Sequence, residues 1–187
     1  MLRVRALLGV FIAALASALA AAHAPAAPTQ DLIAPPSACP NQSDPGTPAG
    51  VQAQAMRCMT NFARARSGKP ALAAVPVLDR AARAKSSDIL RCDQFDHSAC
   101  GRPFTHWFEQ VGYAGQRCSA FGENIAWGTG SLGSVRNIFS AWIRSPDHRA
   151  NILGSFSDLG LGFRIGNLKG NPGAHVWVQE FGSRRCA

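Results

Sequence analysis

The sequence predicts an α+β domain, and three observations carry that reading. Apolar residues recur at helical spacing through the first two thirds of the chain. The period then falls to two: Leu159, Leu161, Phe163 and Ile165 alternate with Gly160, Gly162 and Arg164. The 187 residues, 47% apolar and 16% charged, suffice for one globular core and are too apolar for a disordered chain. Helices first and strands later is an α+β order.

Taken in order, residues 1–24 read as a secretory leader. Arg3 and Arg5 form a positive start, the stretch from Ala6 to Ala22 is uncharged and Ala-rich, and small residues around Ala22 and Ala24 fit a cleavage site. The apolar run is short for a bilayer span. No second one follows, so the mature protein is expected to have no membrane span. Residues 25–46 hold Pro25, Pro28, Pro35, Pro36, Pro40 and Pro45 and are expected as an extended linker, tied down at most by Cys39. The folded domain is then 47–187.

Within it, Thr47 and Pro48 read as the cap and first position of a helix carrying Val51, Ala55, Met59 and Phe62, stopped at Gly68. A second helix spans about Pro76 to Leu90, with Leu78, Ala81, Ala82, Lys85 and Ile89 on one stripe. Its alanines suggest close packing. Phe104, Trp107, Phe108 and Val111 give a third helical stripe. Leu132, Val135, Phe139, Trp142 and Ile143 give a fourth. Ser145-Pro146 restarts a short helix through His148 to Leu153, ended by Gly154. Gly122 to Trp127 is expected as a short strand. The alternating run at 159–165 and Val176 to Phe181 are expected as two more, joined by a loose hairpin over 166–173.

The six cysteines, Cys39, Cys58, Cys92, Cys100, Cys118 and Cys186, are an even set behind a leader, which argues for disulfides. No C-x-x-C pair supports a thiolate metal site. Of the fifteen possible connectivities, the shortest loops give Cys39–Cys58 and Cys92–Cys100, which leaves Cys118–Cys186. The formal charge of +8 falls to +6 when Arg3 and Arg5 go with the leader. That excess could favour an anionic wall component or lipid head. No basic run or nucleic-acid motif is present, so no nucleic-acid partner is expected.

Three segments carry the candidate chemistry: Phe95-Asp96-His97-Ser98, Gly122-Glu123-Asn124-Ile125-Ala126, and Trp142 through Leu153 with Ser145-Pro146-Asp147-His148-Arg149-Ala150-Asn151. In this order, followed by a Gly-rich strand and Val176-Trp177-Val178-Gln179-Glu180-Phe181-Gly182, they resemble bacterial secreted members of the CAP superfamily (cysteine-rich secretory, antigen 5 and pathogenesis-related proteins, with an SCP-like domain). Asn61-Phe62-Ala63-Arg64 and Leu78 also fit, and the resemblance covers about residues 54–183. It implies an α-β-α sandwich with a mostly antiparallel central sheet. It also implies an open cleft where His97, Glu123 and His148 meet. Many eukaryotic members place a second Glu at the position that is Ser145 here, so the site has three such residues, not four.

Two imidazoles are good ligands for zinc or another divalent cation, with Glu123 as a further ligand or as the group that orients one ring. Without metal, Glu123 beside a histidine could serve acid–base work. The resulting expectation is an extracellular binding module for an unidentified ligand, a lipid or a wall component. The alternatives are a metal-dependent hydrolase acting on peptides or wall polymers, and a structural protein of the cell envelope. No G-x-S-x-G or H-E-x-x-H is present. His106 is expected on the polar side of its helix. His175 is expected at a strand opening, facing solvent. The four tryptophans read as packing residues, with Trp107 or Trp127 as possible cleft walls.

Overall fold

The computed structural model describes residues 28–114 and 120–183. The expected leader lies outside them, as do Cys118 and Cys186 and therefore the bridge expected between them. The elements are α1 (Ala49–Arg66), β1 (Ala73–Ala74), α2 (Pro76–Arg91), α3 (His106–Gln110), β2 (Ala120–Gly128), α4 (Val135–Arg144), α5 (Pro146–Leu153), β3 (Asp158–Leu168) and β4 (Asn171–Ser183). The strands form one sheet in the order β1-β3-β4-β2. β1 runs parallel to β3, and the other pairs are antiparallel. The expected α+β class holds, with a sheet that is mixed at one edge.

Helices cover both faces. Leu159, Leu161, Phe163, Trp177 and Phe181 point into a core shared with α1, α4 and α5, through Met56, Met59, Phe139, Trp142 and Ile152. The other face carries Ile125, Val176 and Val178 against Ala82 and Ile89 of α2. On that face Gly160 and Gly162 let the helix backbone lie directly on the sheet. A Cβ at Gly162 would stand 2.1 Å from the Ala82 carbonyl oxygen, and one at Gly160 2.2 Å from the Leu78 carbonyl carbon. The alternation of large residues with glycine thus marks a strand buried on both faces, and the alanines of α2 pack as closely as expected.

Several boundaries differ from expectation for identifiable reasons. Pro76 and Pro146 open α2 and α5 as expected, where a missing N–H costs nothing. At α1, however, Pro48 is itself the cap, and Thr47 gives its hydroxyl to the Asp44 carbonyl (3.2 Å). The third helix starts only at His106, leaving Phe104 38% exposed. Leu132 sits before α4, two-thirds exposed, and Ser134 caps that helix through Asn137 N (3.4 Å). The hairpin is tight: Leu168 pairs with Asn171 across Lys169 and Gly170, both at positive φ (51° and 76°). His175 lies inside β4 and is buried, its ring packed where a Cβ on Gly133 would fall (2.7 Å).

The stretch 28–46 is not a free linker. Leu32, Ala34 and Cys39 are buried in the main core. Arg136 of α4 donates to the Ala34 carbonyl (3.0 Å) and to Gln42 Oε1 (2.6 Å). Cys39–Cys58 fastens this stretch to α1, and Cys92–Cys100 closes the loop after α2. Both pairs are the ones expected. Prolines restrict a chain without exposing it, so composition alone does not separate a linker from a packed arm.

Candidate functional site

The site forms where β2, an edge strand, meets the loop after α2 on one side and α5 on the other. Glu123 sits in mid-strand with its side chain 1% exposed, on the face covered by α2. His97 approaches from outside, and its Nδ1 lies 2.6 Å from Glu123 Oε1. The His97 side chain remains 55% exposed, so Nε2 is left to the cleft. Lys85, on the buried stripe of α2, places its ammonium 3.7 Å from the same Glu123 oxygen and donates to the His97 carbonyl. Ser98 does not face His97: its hydroxyl and backbone N–H both go to Asp96 Oδ1, at 2.6 and 2.7 Å.

His148 is held from the other side of the strand. Asn124 Nδ2 donates to the His148 carbonyl (3.1 Å), while Asn151 Nδ2 donates to the Glu123 carbonyl (3.2 Å) and to Asn124 Oδ1 (2.9 Å). Asn151 therefore ties α5 to the sheet and does not bond its own segment. Asn124 Nδ2 also donates to Gln179 Oε1 (3.1 Å) on the paired strand, while Trp142 Nε1 donates to the Ile125 carbonyl (3.1 Å), so with Asn151 side chains serve the Glu123 and Ile125 carbonyls of β2.

The two histidines differ electrically. The hydrogen bond to Glu123 raises the His97 pKa above its ordinary value, against burial. Burial lowers that of His148, and charge on His97 lowers it further. The two rings are thus shifted in opposite directions. His148 Nδ1 is buried with no hydrogen-bond partner among the described residues. Each ring opens on a mostly apolar pocket. A pocket of about 280 Å³ beside His148 is walled by Phe95, Trp127 and Trp142, with Ser145 at its rim. One of about 360 Å³ beside His97 is walled by Phe104 and Phe121.

The structure thus joins His97 to Glu123 and sets His148 in the separate pocket that Trp127 also walls. Trp107 instead donates to Asp88 Oδ2 (2.9 Å) under Arg102, away from the cleft. His106 stacks edge-on against Trp107. Among the described residues no three His, Cys, Asp or Glu side chains are arranged to hold a metal ion. Glu123 is turned to His97 Nδ1 and Lys85, the place of a group that orients an imidazole.

Two further residues stand at the site without a motif to mark them. Lys85 belongs to the buried stripe of α2. Glu180, fully buried, lies directly across from Glu123 on β4. Both carried a signal: a charged residue at a position whose periodicity is otherwise apolar.

The comparisons with known proteins agree with this architecture. The model of the cysteine-rich secretory protein family, CAP, matches residues 59–181. The uncharacterized protein YkwD of Bacillus subtilis (strain 168) is 31% identical over 126 residues, 66% of this chain and 44% of that protein. An extracellular protein containing an SCP domain from Bacillus anthracis superposes with a TM-score of 0.53 at 21% identity, over 72% of this chain and 43% of its own. An outer surface protein from Borrelia burgdorferi gives 0.61 at 16% identity, over 74% of this chain and 97% of its own. This chain thus spans less than half the length of the first two. At such identities the solved structures speak to the fold, while the family model covers two thirds of the sequence, including all three cleft residues. The chain belongs to the CAP, or cysteine-rich secretory protein, family.

Proposed function

We propose that this protein is a secreted binding module whose cleft takes an amphiphile with an anionic head. The observation that carries this reading is His97, held by Glu123 and with its pKa raised, at the mouth of an apolar pocket walled by Phe104 and Phe121. An acidic head would accept from His97 Nε2, and the apolar body would lie on Phe104 and Phe121, the aromatic walls of the pocket that His97 lines. The charge-assisted bond would contribute orientation and the aromatic walls most of the affinity. Secretion is supported by the leader-like residues 1–24 and by two disulfides in the folded domain. No helix among the described residues is long and apolar enough to cross a membrane.

The test is calorimetric titration with oleate of the oxidised protein and of a His97→Ala/His148→Ala variant. The variant is expected to bind roughly tenfold to a hundredfold more weakly. Affinity should be full below the ordinary histidine range and fall as pH rises through the raised His97 pKa, because the proton on His97 is what the carboxylate recognises. Equal affinity for the two proteins, or no dependence on pH, sinks the reading.

A second reading has its own observation, the buried, unpartnered Nδ1 of His148, whose pKa burial lowers. It places zinc or another divalent cation on the two imidazoles, with open positions for water and hence room for hydrolytic chemistry. Its pH dependence is opposite in sign, because a metal must displace the His97 proton. A zinc titration in the same series separates the two: stoichiometric binding that strengthens with pH and is lost in the double variant favours the metal.

A further inference from the structure

Gly160, Glu180 and Glu123 form one cross-strand row on the sheet face that α2 covers, running from β3 through β4 to the edge strand β2. Gly160 brings α2 down onto the row, and Lys85, seven residues beyond the Leu78 contact, supplies its one ammonium. Two carboxyls are thus direct cross-strand partners in the interior, and Lys85 and His97 are both placed against Glu123 Oε1. His97 caps the row at the surface.

Hydrogen-bond supply decides the protonation of this row. Glu123 Oε1 is served by His97 and Lys85. If both carboxyls were ionised, Glu123 Oε2 and both Glu180 oxygens would have no donor among the described residues. Two adjacent buried anions, three oxygens of them unserved, would cost far more than retaining one proton. We infer that Glu180 is a neutral carboxylic acid that donates to Glu123 Oε2 and positions the Glu123 carboxylate against His97. Burial and the facing Glu123 both raise the Glu180 pKa well above the carboxylate range, in keeping with this arrangement. Glu180 touches no ligand; it is a positioning residue acting through Glu123. The inference rests on the His97–Glu123 pair of the proposed cleft but not on what the cleft binds, and its test uses the ligand-free protein.

The test is an NMR titration of His97 in wild type, Glu180→Gln and Glu180→Leu. The amide of Gln is neutral and can still donate, so E180Q should leave the His97 pKa unmoved. E180L removes the donor, leaves Glu123 a stronger acceptor, and should raise it. A clear fall in E180Q is the mark of a lost negative charge and overturns the inference, as does an E180L protein that titrates like wild type. Should E180L fail to fold, E180Q still decides. Infrared spectra give an independent readout. A protonated-carboxyl C=O band at neutral pH, absent from E180Q, is expected, and its absence from wild type overturns the inference. Loss of oleate binding would leave these outcomes untouched, so the two readings fail separately.

Discussion

Gly162→Ala is expected to destabilise the fold at or above the upper end of the roughly 1–3 kcal/mol typical of overpacking. The new methyl would meet the Ala82 carbonyl oxygen at 2.1 Å and the Arg83 amide nitrogen at 2.6 Å, which are backbone atoms with no rotamer to yield. Relief requires α2 to lift from β3. Lys85 and Ile89 lie further along the same buried stripe, so lifting also withdraws the ammonium from Glu123. Urea unfolding should show a lower midpoint at similar slope. The His97 titration should shift as well, because its partner carboxylate is displaced. Wild-type stability in G162A would mean that the close approach of helix and sheet is not a constraint. Gly166→Ala, where the neighbour is the flexible Leu90 side chain at 3.0 Å, should be much milder.

Arg64→Ala should cost about 3–5 kcal/mol. Arg64 is buried in α1, and its guanidinium serves four carbonyls. Nε donates to Pro70 (2.8 Å), Nη1 to Ile152 (2.9 Å) and Gly154 (2.8 Å), and Nη2 to Phe156 (3.2 Å). One side chain thus binds the loop after α1 to the end of α5 and the approach to β3. Alanine leaves those carbonyls without their donor and opens a cavity beneath them. The end of α5 is one turn from His148, so the loss should also loosen the cleft and weaken oleate binding in the folded fraction. Arg64→Lys should recover only part of the stability, because an ammonium on a flexible stem cannot fork to both sides. Thermal unfolding of the three proteins checks this order. Equal midpoints for Lys and Arg would show that charge, not the planar fork, is what the loop needs.

Helix stripes, the change of period at residue 159 and two disulfides were legible in the sequence, and motif order singled out His97, Glu123 and His148 as candidates. Each rests on local spacing: the 3.6- and 2-residue periods, proline at a first helical turn, and motif order in the chain. Register was not. Which residue faces Glu123 depends on pairing β2 with β4, more than fifty residues apart, so Glu180 read only as an acid in an apolar strand. Lys85 read as an ordinary member of an amphipathic stripe until α2 was seen to lie over that pair. His175 shows the same limit in reverse, since its burial depends on Gly133 approaching from a turn more than forty residues away. Sequence by itself determined the family and the order of elements, and singled out His97, Glu123 and His148 as candidates. The tertiary structure alone decided that Glu123 serves His97, that Lys85 and Glu180 stand behind it, and that the arm at 28–46 is packed. The physical reason is that patterning specifies which face of an element is buried, whereas the partners met there are set by contacts between residues far apart in the chain.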